Sequence, residues 1–247
     1  MNLQQFEENS IPIIEIFNSV SGEGISAGSV MTFVRVAGCN LRCNYCDTKY
    51  SYNEFGNETQ VLKPNEIVNI LHSYNCRNVL CTGGEPLEFD KVKRYLPLYL
   101  AAKGFVIRIE TNGSCPIYTQ NEINDFTDNA SFRLNYALDV KCPDSGMSDY
   151  NIYYENFKLL GSEDEIKFVV GSQRDLEFAL NCIKEHSRVL SQTGVTINFS
   201  PVFGKLNSVE IVNMLKGNNA YFETYKLNVR LSLQIHKFIW PPEARGV

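Results

Sequence analysis

The sequence predicts an α/β protein, an open, partial parallel β/α barrel of about six strands with outer helices. Three observations lead there. Short runs rich in β-branched and aromatic residues alternate with helical patterns, as right-handed βαβ units require. The strands number roughly six or seven, too few to close an eight-stranded barrel. The polar motifs fall at or just after the C-terminal ends of those strands, the rim on which barrel enzymes build their sites.

The elements follow in order. Residues before Pro12 are mostly polar and are expected to form a mobile lead-in, and residues 13–17 suit a short strand or edge segment. Ser19-Val20-Ser21-Gly22-Glu23-Gly24 reads as a loop whose two glycines tolerate positive φ. Residues 31–36 form a strand. Pro64 opens a helix carrying Ile67, Ile70 and Leu71 on one face. Residues 78–82 form a strand ended by Gly83-Gly84. Residues 90–103 are helical in pattern, with a kink expected at Pro97 and a stop at Gly104. Strands at 105–110 and 136–141 end in Thr111-Asn112-Gly113 and Cys142-Pro143, and residues 150–157 have a weaker helical pattern. After a strand at 165–170, Ser172 caps a helix with Asp175 at its third position and Leu176, Ala179, Leu180 and Ile183 on one face. A strand at 195–200 ends at Pro201. Residues 207–216 look helical through Val209, Val212 and Leu215, and a last strand at 229–234 leads into a tail with His236, Trp240, Pro241 and Pro242.

Composition narrows the function. Apolar residues make up 44% and charged residues 21% of the 247, an ordinary globular balance. No linker, repeat or low-complexity tract interrupts them, so one domain spanning 1–247 is expected. A formal net charge of −5 argues against a nucleic-acid or anionic-membrane surface. No signal peptide is visible and no apolar run approaches the ~20 residues that span a bilayer, which points to a cytoplasmic address. Of eight cysteines, Cys76, Cys81, Cys115, Cys142 and Cys182 are scattered and suit small buried hydrophobes.

The remaining three are clustered in Cys39-Asn40-Leu41-Arg42-Cys43-Asn44-Tyr45-Cys46-Asp47-Thr48. Asn40, Arg42 and Asn44 make this a poor core segment. A structural zinc site takes four ligands, and no second cysteine pair stands nearby in sequence. An iron–sulfur cubane is normally closed by four thiolates; with three, one iron keeps an open position, which chemistry needs and electron transfer does not. Both metals stay open on spacing alone.

The C-x₃-C-x₂-C pattern with Tyr45 before its third cysteine resembles the radical S-adenosylmethionine superfamily. Thr82-Gly83-Gly84-Glu85-Pro86 and Glu110-Thr111-Asn112-Gly113 are similar to its secondary motifs. The resemblance implies a [4Fe–4S] cluster on Cys39, Cys43 and Cys46, whose open iron chelates S-adenosylmethionine and cleaves it to a 5′-deoxyadenosyl radical. It implies cofactor contacts from Tyr45, Cys46, Asp47, Gly84, Glu85, Asp139, Val140, Lys141, Ser200, Pro201, Val202 and Phe203.

The likeness extends along nearly the whole chain to the 7-carboxy-7-deazaguanine synthase family. It rests on Ser21-Gly22-Glu23-Gly24, Arg35, Asp47-Thr48 and the ending Gln234-Ile235-His236 through Val247. It implies a homodimer that turns 6-carboxy-5,6,7,8-tetrahydropterin into 7-carboxy-7-deazaguanine with loss of ammonia, on the route to queuosine, using electrons from a flavodoxin or ferredoxin. Thr48 would give its hydroxyl to a Mg²⁺ ion. Val20, Ser21, Gly22, Glu23, Arg35, Thr82, His236 and the Val247 carboxylate would hold the substrate, the C-terminal tail closing the site. Ser21 departs from the glutamine common at that position, and its side-chain contact is the one the resemblance does not carry over. Two alternatives remain: another enzyme of the superfamily, such as a glycyl-radical activase, and a non-catalytic iron–sulfur or zinc module.

Several of these residues also have plainer readings. Glu85 can cap the following helix, Lys141 can end a strand in solvent, and His236 can be a satisfied polar residue. Trp240 and Tyr150 suit packing, and Arg35, mid-strand, needs either a ligand or an ion pair.

Overall fold

The computed structural model describes residues 1–127, 132, 134–151 and 153–247, the side chains of Tyr153 and Tyr154 excepted. Among the described residues nine strands form one sheet: β1 (Ile11–Val20), β2 (Val30–Val36), β3 (Gln60–Leu62), β4 (Asn78–Gly83), β5 (Val106–Thr111), β6 (Leu134–Val140), β7 (Glu165–Val170), β8 (Thr196–Pro201) and β9 (Asn228–Leu231). Their order is β3-β1-β2-β4-β5-β6-β7-β8-β9, so the sheet stays open between β3 and β9. From β2 through β9 the neighbours run parallel, while β1 is antiparallel to both β2 and β3. The expected open barrel is present, with seven parallel strands, the upper end of the expected count, and is extended by the antiparallel edge pair β1 and β3.

The period-two alternation of the strands explains why this sheet has a site. Val34, Val36, Cys81, Ile107, Ile109, Leu138, Val140, Ile166, Phe168, Ile197 and Phe199 point outward into the core. There they meet Ile67 and Leu71 of α2 (Pro64–Ser73), Leu96 of α3 (Leu96–Ala102), and Leu176, Ala179 and Ile183 of α6 (Gln173–Thr193). Each such side chain contributes roughly 1.5–3 kcal/mol by leaving water. The residues between them, Arg35, Thr82, Glu110, Asp139 and Lys167, line the concave side. Register places Arg35 beside Thr82, Asp139 beside Lys167, and Lys167 beside Asn198.

Several expectations are corrected. The lead-in is ordered: Asn2 and Gln5 box the start of α1 (Leu3–Glu7), and Phe6 packs against Tyr95, Tyr99 and Phe126. β1 runs to Val20 because it is paired on one side along its length and on both sides at its start. Pro97 sits in the first turn of α3, where a missing N–H costs nothing, and a 3₁₀ turn at Val92–Tyr95 precedes it. The polar α4 (Gln120–Thr127) gave no apolar period, yet Thr119 and Glu122 cap it reciprocally. In α7 (Ser208–Thr224) the period in Val209 and Val212 marks the exposed face; Ile211 and Phe222 are the buried residues.

Other expectations hold. Ser172 caps α6 through the Asp175 N–H, and Gly194 ends it in the left-handed region at φ 67°. The expected helix at 150–157 is α5 (Tyr153–Phe157); Ile152 lies outside the described residues, and Tyr150 is exposed instead of packed. Among the described residues no helix is long and apolar enough to cross a membrane.

Candidate active site

A cavity of about 520 Å³ opens at the C-terminal ends of the parallel strands. Its walls come from the cysteine loop after β2, the Gly83-Gly84 turn after β4, the inner faces of β5 to β7, the loop at Gly22-Glu23, and the tail from Gln234 to Val247.

All three clustered cysteines line this cavity. The loop is short and polar, so it needs outside anchors, and each stretch of it has one. Cys39 N–H donates to the Tyr52 carbonyl (3.3 Å), and Tyr52 Oη donates to the Cys43 carbonyl (3.2 Å). Arg42 lies over the Tyr52 ring and donates to the carbonyls of Cys39 (2.5 Å) and Leu41 (2.7 Å). Asn44 is tied to the backbone of Asp144 and Ser145, and Tyr45 Oη donates to the Val169 carbonyl on β7 (3.1 Å). Cys39 Sγ is approached by the Leu41 N–H (3.5 Å) and Asn112 Nδ2 (3.8 Å). Burial pushes the Cys39 thiol up to about 11, so holding it as the thiolate requires a strongly bound cation. No fourth cysteine lines the cavity: Cys81, Cys115, Cys142 and Cys182 are buried elsewhere, and Cys76 turns to the carbonyls of Val30 and Asn78. Among the described residues no three His, Cys, Asp or Glu side chains converge as one ion requires. Three thiols spread over one cavity wall fit a four-iron cluster with a vacant position better than a single zinc.

Close backbone contact aligns the next wall. A Cβ on Gly84 would lie 1.8 Å from the Gly38 oxygen, so only glycine lets the β4 turn rest on the residue before Cys39. Glu85 is fully buried and faces away from the cavity. Its carboxylate accepts from Thr111 Oγ1 (2.7 Å), Asn112 N (2.7 Å) and Leu87 N (2.8 Å), joining the ends of β4 and β5. Burial raises its pKa against those hydrogen bonds.

The floor is a set of buried charges. Lys167 Nζ stands 3.5 Å from Glu23 Oε1, and Glu23 Oε2 is buried with no partner among the described residues. Burial raises the Glu23 pKa; Lys167 opposes this, while Glu110, Asp47 and Asp139 add to it. Burial also opposes charge on Lys167, but Glu23, Asp139, Glu110 and Glu165 outweigh it and hold the ammonium. Asp139 pairs with Lys141 at 2.6 Å, and Thr82 Oγ1 donates to Glu110 at 2.7 Å. Arg35 pairs with Glu15 (2.7 Å), which also accepts from Tyr50 Oη (3.2 Å). Gly22 abuts the His236 ring and its oxygen accepts from Ile235 N–H, while burial and Lys237 lower the His236 pKa. Lys237 reaches Asp47 at 3.3 Å, so α8 (His236–Ile239) ties the tail to the cysteine loop. At the far end Arg245 stacks on Tyr50, 3.6 Å from its ring centre, and pairs with Glu58.

Most residues singled out from sequence therefore share one cavity: Cys39, Cys43, Tyr45, Cys46, Asp47, Thr48, Val20, Gly22, Glu23, Arg35, Thr82, Gly84, Asp139, Lys141, Val202, Phe203, His236 and Val247 all line it. Five do not. Glu85 is turned inward as described. Val140 lies on the outer face of β6, in the core. Ser200 falls on the inner face of β8 but is buried short of the cavity lining, its Oγ without a partner among the described residues, and Pro201 follows it on the opposite face. Ser21 spends its hydroxyl on Ser26 Oγ (2.8 Å) and the Glu23 carbonyl (3.3 Å), stiffening its own turn. Lys141 is no solvated strand end, since its side chain is 11% exposed and paired. Lys167, Glu110, Asn112, Tyr50 and Arg245 were not picked out as site residues. A lysine at the middle of an otherwise apolar strand was the available signal for Lys167; Tyr50 and Arg245 carried none.

The model of the radical SAM superfamily matches residues 33–139, which hold the cysteine loop and the strand ends through Asp139. A 7-carboxy-7-deazaguanine synthase from Clostridium acetobutylicum is 40% identical over 95% of this chain and 98% of its own length. One from Chlorobaculum tepidum is 34% identical over 97% and 99%. The crystal structure of QueE from Escherichia coli has the same fold, with a TM-score of 0.67 at 21% identity over 95% of this chain and 98% of that one. Streptococcus suis SuiB bound to S-adenosylmethionine superposes on 78% of this chain and 44% of its own, with a TM-score of 0.52 at 14% identity. With identity of this extent along the full length of both chains, the protein belongs to the 7-carboxy-7-deazaguanine synthase family of the radical SAM superfamily.

Proposed function

We propose that the protein converts 6-carboxy-5,6,7,8-tetrahydropterin to 7-carboxy-7-deazaguanine with release of ammonia. The observation that carries the reading is that the three-cysteine loop opens onto the same cavity as Glu23, Arg35, Thr48, Thr82 and His236. When bound, the [4Fe–4S] cluster and S-adenosylmethionine supply the one-electron chemistry that starts the rearrangement. The protein's own residues do the rest.

Arg35, aligned by Glu15, presents its guanidinium to the substrate carboxylate. Glu23 keeps one carboxylate oxygen on Lys167 and offers the other to the amidine edge of the pterin. Thr82, Gly22 and a neutral His236 fix the ring between them, and the Val247 end closes the mouth with Pro242 and Arg245. Tyr45, Asp47, Gly84, Asp139, Lys141, Val202 and Phe203 form the cofactor side, with Asp139 and Lys141 already paired to receive the polar end of S-adenosylmethionine. Thr48 Oγ1, 3.5 Å from Cys46 Sγ, is a hard oxygen at the border of the two halves and suits Mg²⁺. Holding substrate and cofactor in one dry cavity is the protein's main contribution.

We further propose a cytoplasmic homodimer of one-domain chains, reduced by a flavodoxin- or ferredoxin-type donor and binding neither nucleic acid nor membrane. The net charge of −5 supports the last point.

The test is an anaerobic assay of the reconstituted protein with reductant, Mg²⁺, S-adenosylmethionine and the carboxytetrahydropterin. 7-Carboxy-7-deazaguanine forms over many turnovers while S-adenosylmethionine is regenerated. Accumulation of 5′-deoxyadenosine with no deazapurine overturns the substrate assignment; a protein that takes up no iron–sulfur cluster overturns the whole reading.

A further inference from the structure

Lys93 is a fully buried cation outside the cavity. It sits in the 3₁₀ turn Val92–Tyr95, and its side chain has no solvent exposure. Lysines are almost never fully buried unless paired, and the cost of removing an ammonium from water is several kcal/mol. Its environment meets that cost through three acceptors, one for each N–H. Nζ donates to the Ala37 carbonyl at 2.8 Å, to the Gly38 carbonyl at 2.6 Å, and to Glu88 Oε2 at 2.6 Å.

Two of these acceptors have a particular place in the chain. Ala37 and Gly38 are the two residues between the end of β2 and Cys39. The Gly38 carbonyl also receives the Glu85 N–H at 2.8 Å, and Gly84 presses against it. On the other side Glu85 fixes Asn112, whose Nδ2 reaches Cys39 Sγ and Asn40 Oδ1. Cys39 is thus held from behind by a buried cation and from the flank by a buried carboxylate, through one residue each. Of the three charged residues Glu85, Lys93 and Glu88, Glu88 is the one that reaches water, with its side chain 18% exposed.

We propose that the Lys93–Glu88 pair positions Cys39 and sets the charge felt by the cluster that Cys39 holds. This rests on the cluster reading given above. A cation one peptide unit behind a ligand thiolate stabilises the more negative, reduced state of a cluster. Glu88 offsets part of that field. The two residues therefore act with opposite sign, which a purely structural role for either would not produce.

The experiment measures the reduction potential of the reconstituted full chain by EPR-monitored redox titration, with iron and sulfide content determined on the same samples. Lys93→Met is expected to shift the potential downward and to lower iron content. Glu88→Gln, a conservative change at a residue that reaches solvent, is expected to shift it upward with iron content unchanged. The double variant lies between them. Shifts of the same sign, or no shift in Glu88→Gln, overturn the proposal, and they do so even if Lys93→Met fails to fold. A wild-type chain that takes up no cluster overturns the functional reading as well; a wild-type cluster indifferent to both substitutions overturns this proposal alone.

Discussion

Lys167 Nζ on β7 stands 3.5 Å from Oε1 of Glu23, in the loop after β1, and the second oxygen of Glu23 is buried with no partner among the described residues. A buried carboxylate with a free oxygen is costly unless a ligand donates to it. Burial raises the Glu23 pKa, so the ionised form disappears on acidification before that of an ordinary glutamate. The free protein loses stability at this group as pH rises from the ordinary carboxylate range through the raised value, and a donor-rich ligand offsets the loss. Pterin affinity therefore weakens as pH falls, starting above the ordinary glutamate range. Lys167→Met removes the charge that lowers Glu23, so it moves this limb of the pH–affinity profile upward and raises KM at neutral pH by about 10-fold or more. A pH profile of kcat/KM for both proteins checks the sign.

Arg245 joins the tail to Tyr50 and Glu58. Both partners of the ion pair are about half exposed, so the stacking contact dominates. Arg245→Ala is expected to raise KM by about two- to tenfold with kcat nearly unchanged. Limited proteolysis should also cut the chain after Trp240 more readily in the variant.

Gly84→Ala places a methyl group 1.8 Å from the Gly38 oxygen, 2.4 Å from its carbon and 3.1 Å from Cys39 N. These are backbone atoms and cannot swing aside. The cost is on the order of 1–3 kcal/mol, several degrees in Tm, if the turn retreats. Retreat moves Cys39, so iron content after reconstitution falls by half or more, which colorimetric iron and sulfide assays read directly.

Thr48→Ala removes one hard oxygen, and with it the 3.5 Å contact to Cys46 Sγ, but leaves all three thiols in place. Iron content stays at the wild-type level, while the Mg²⁺ concentration for half-maximal rate rises several-fold. Titrating Mg²⁺ in the anaerobic assay separates this outcome from a general loss of activity.

The outward face of the sheet and its rim were legible because both rest on local pattern. Val34 and Val36, or Ile107 and Ile109, advertise a strand face, and the Gly-Gly and Thr-Asn-Gly ends advertise turns. The cysteine loop declared itself through spacing. What stayed hidden depends on distant partners. Glu85 read as a cofactor contact because its motif sits on the rim, but three donors from residues 87, 111 and 112 turn it inward. Val140 fell on the wrong side of a strand whose neighbours are legible only once register is known. Ser21 kept the loop's backbone and withdrew its side chain, the local rescue that a short hydroxyl permits. The exposed valines of α7 carried a helical period on the wrong face, which burial alone can arbitrate.

The five cysteines outside the loop have a consequence for how the metal finds its place. Cys81, Cys115, Cys142 and Cys182 are buried and screened from solvent, whereas the loop thiols open on the cavity; burial raises Cys39 and Cys43 as well, so access and clustering separate the two sets. Iron and sulfide delivered to the folded chain meet one address with several thiols and a lone competitor at Cys76. The barrel core acts as a filter against mis-metallation, and an alkylating reagent should read the same map, protecting the core thiols and reporting cluster loading through the loop alone.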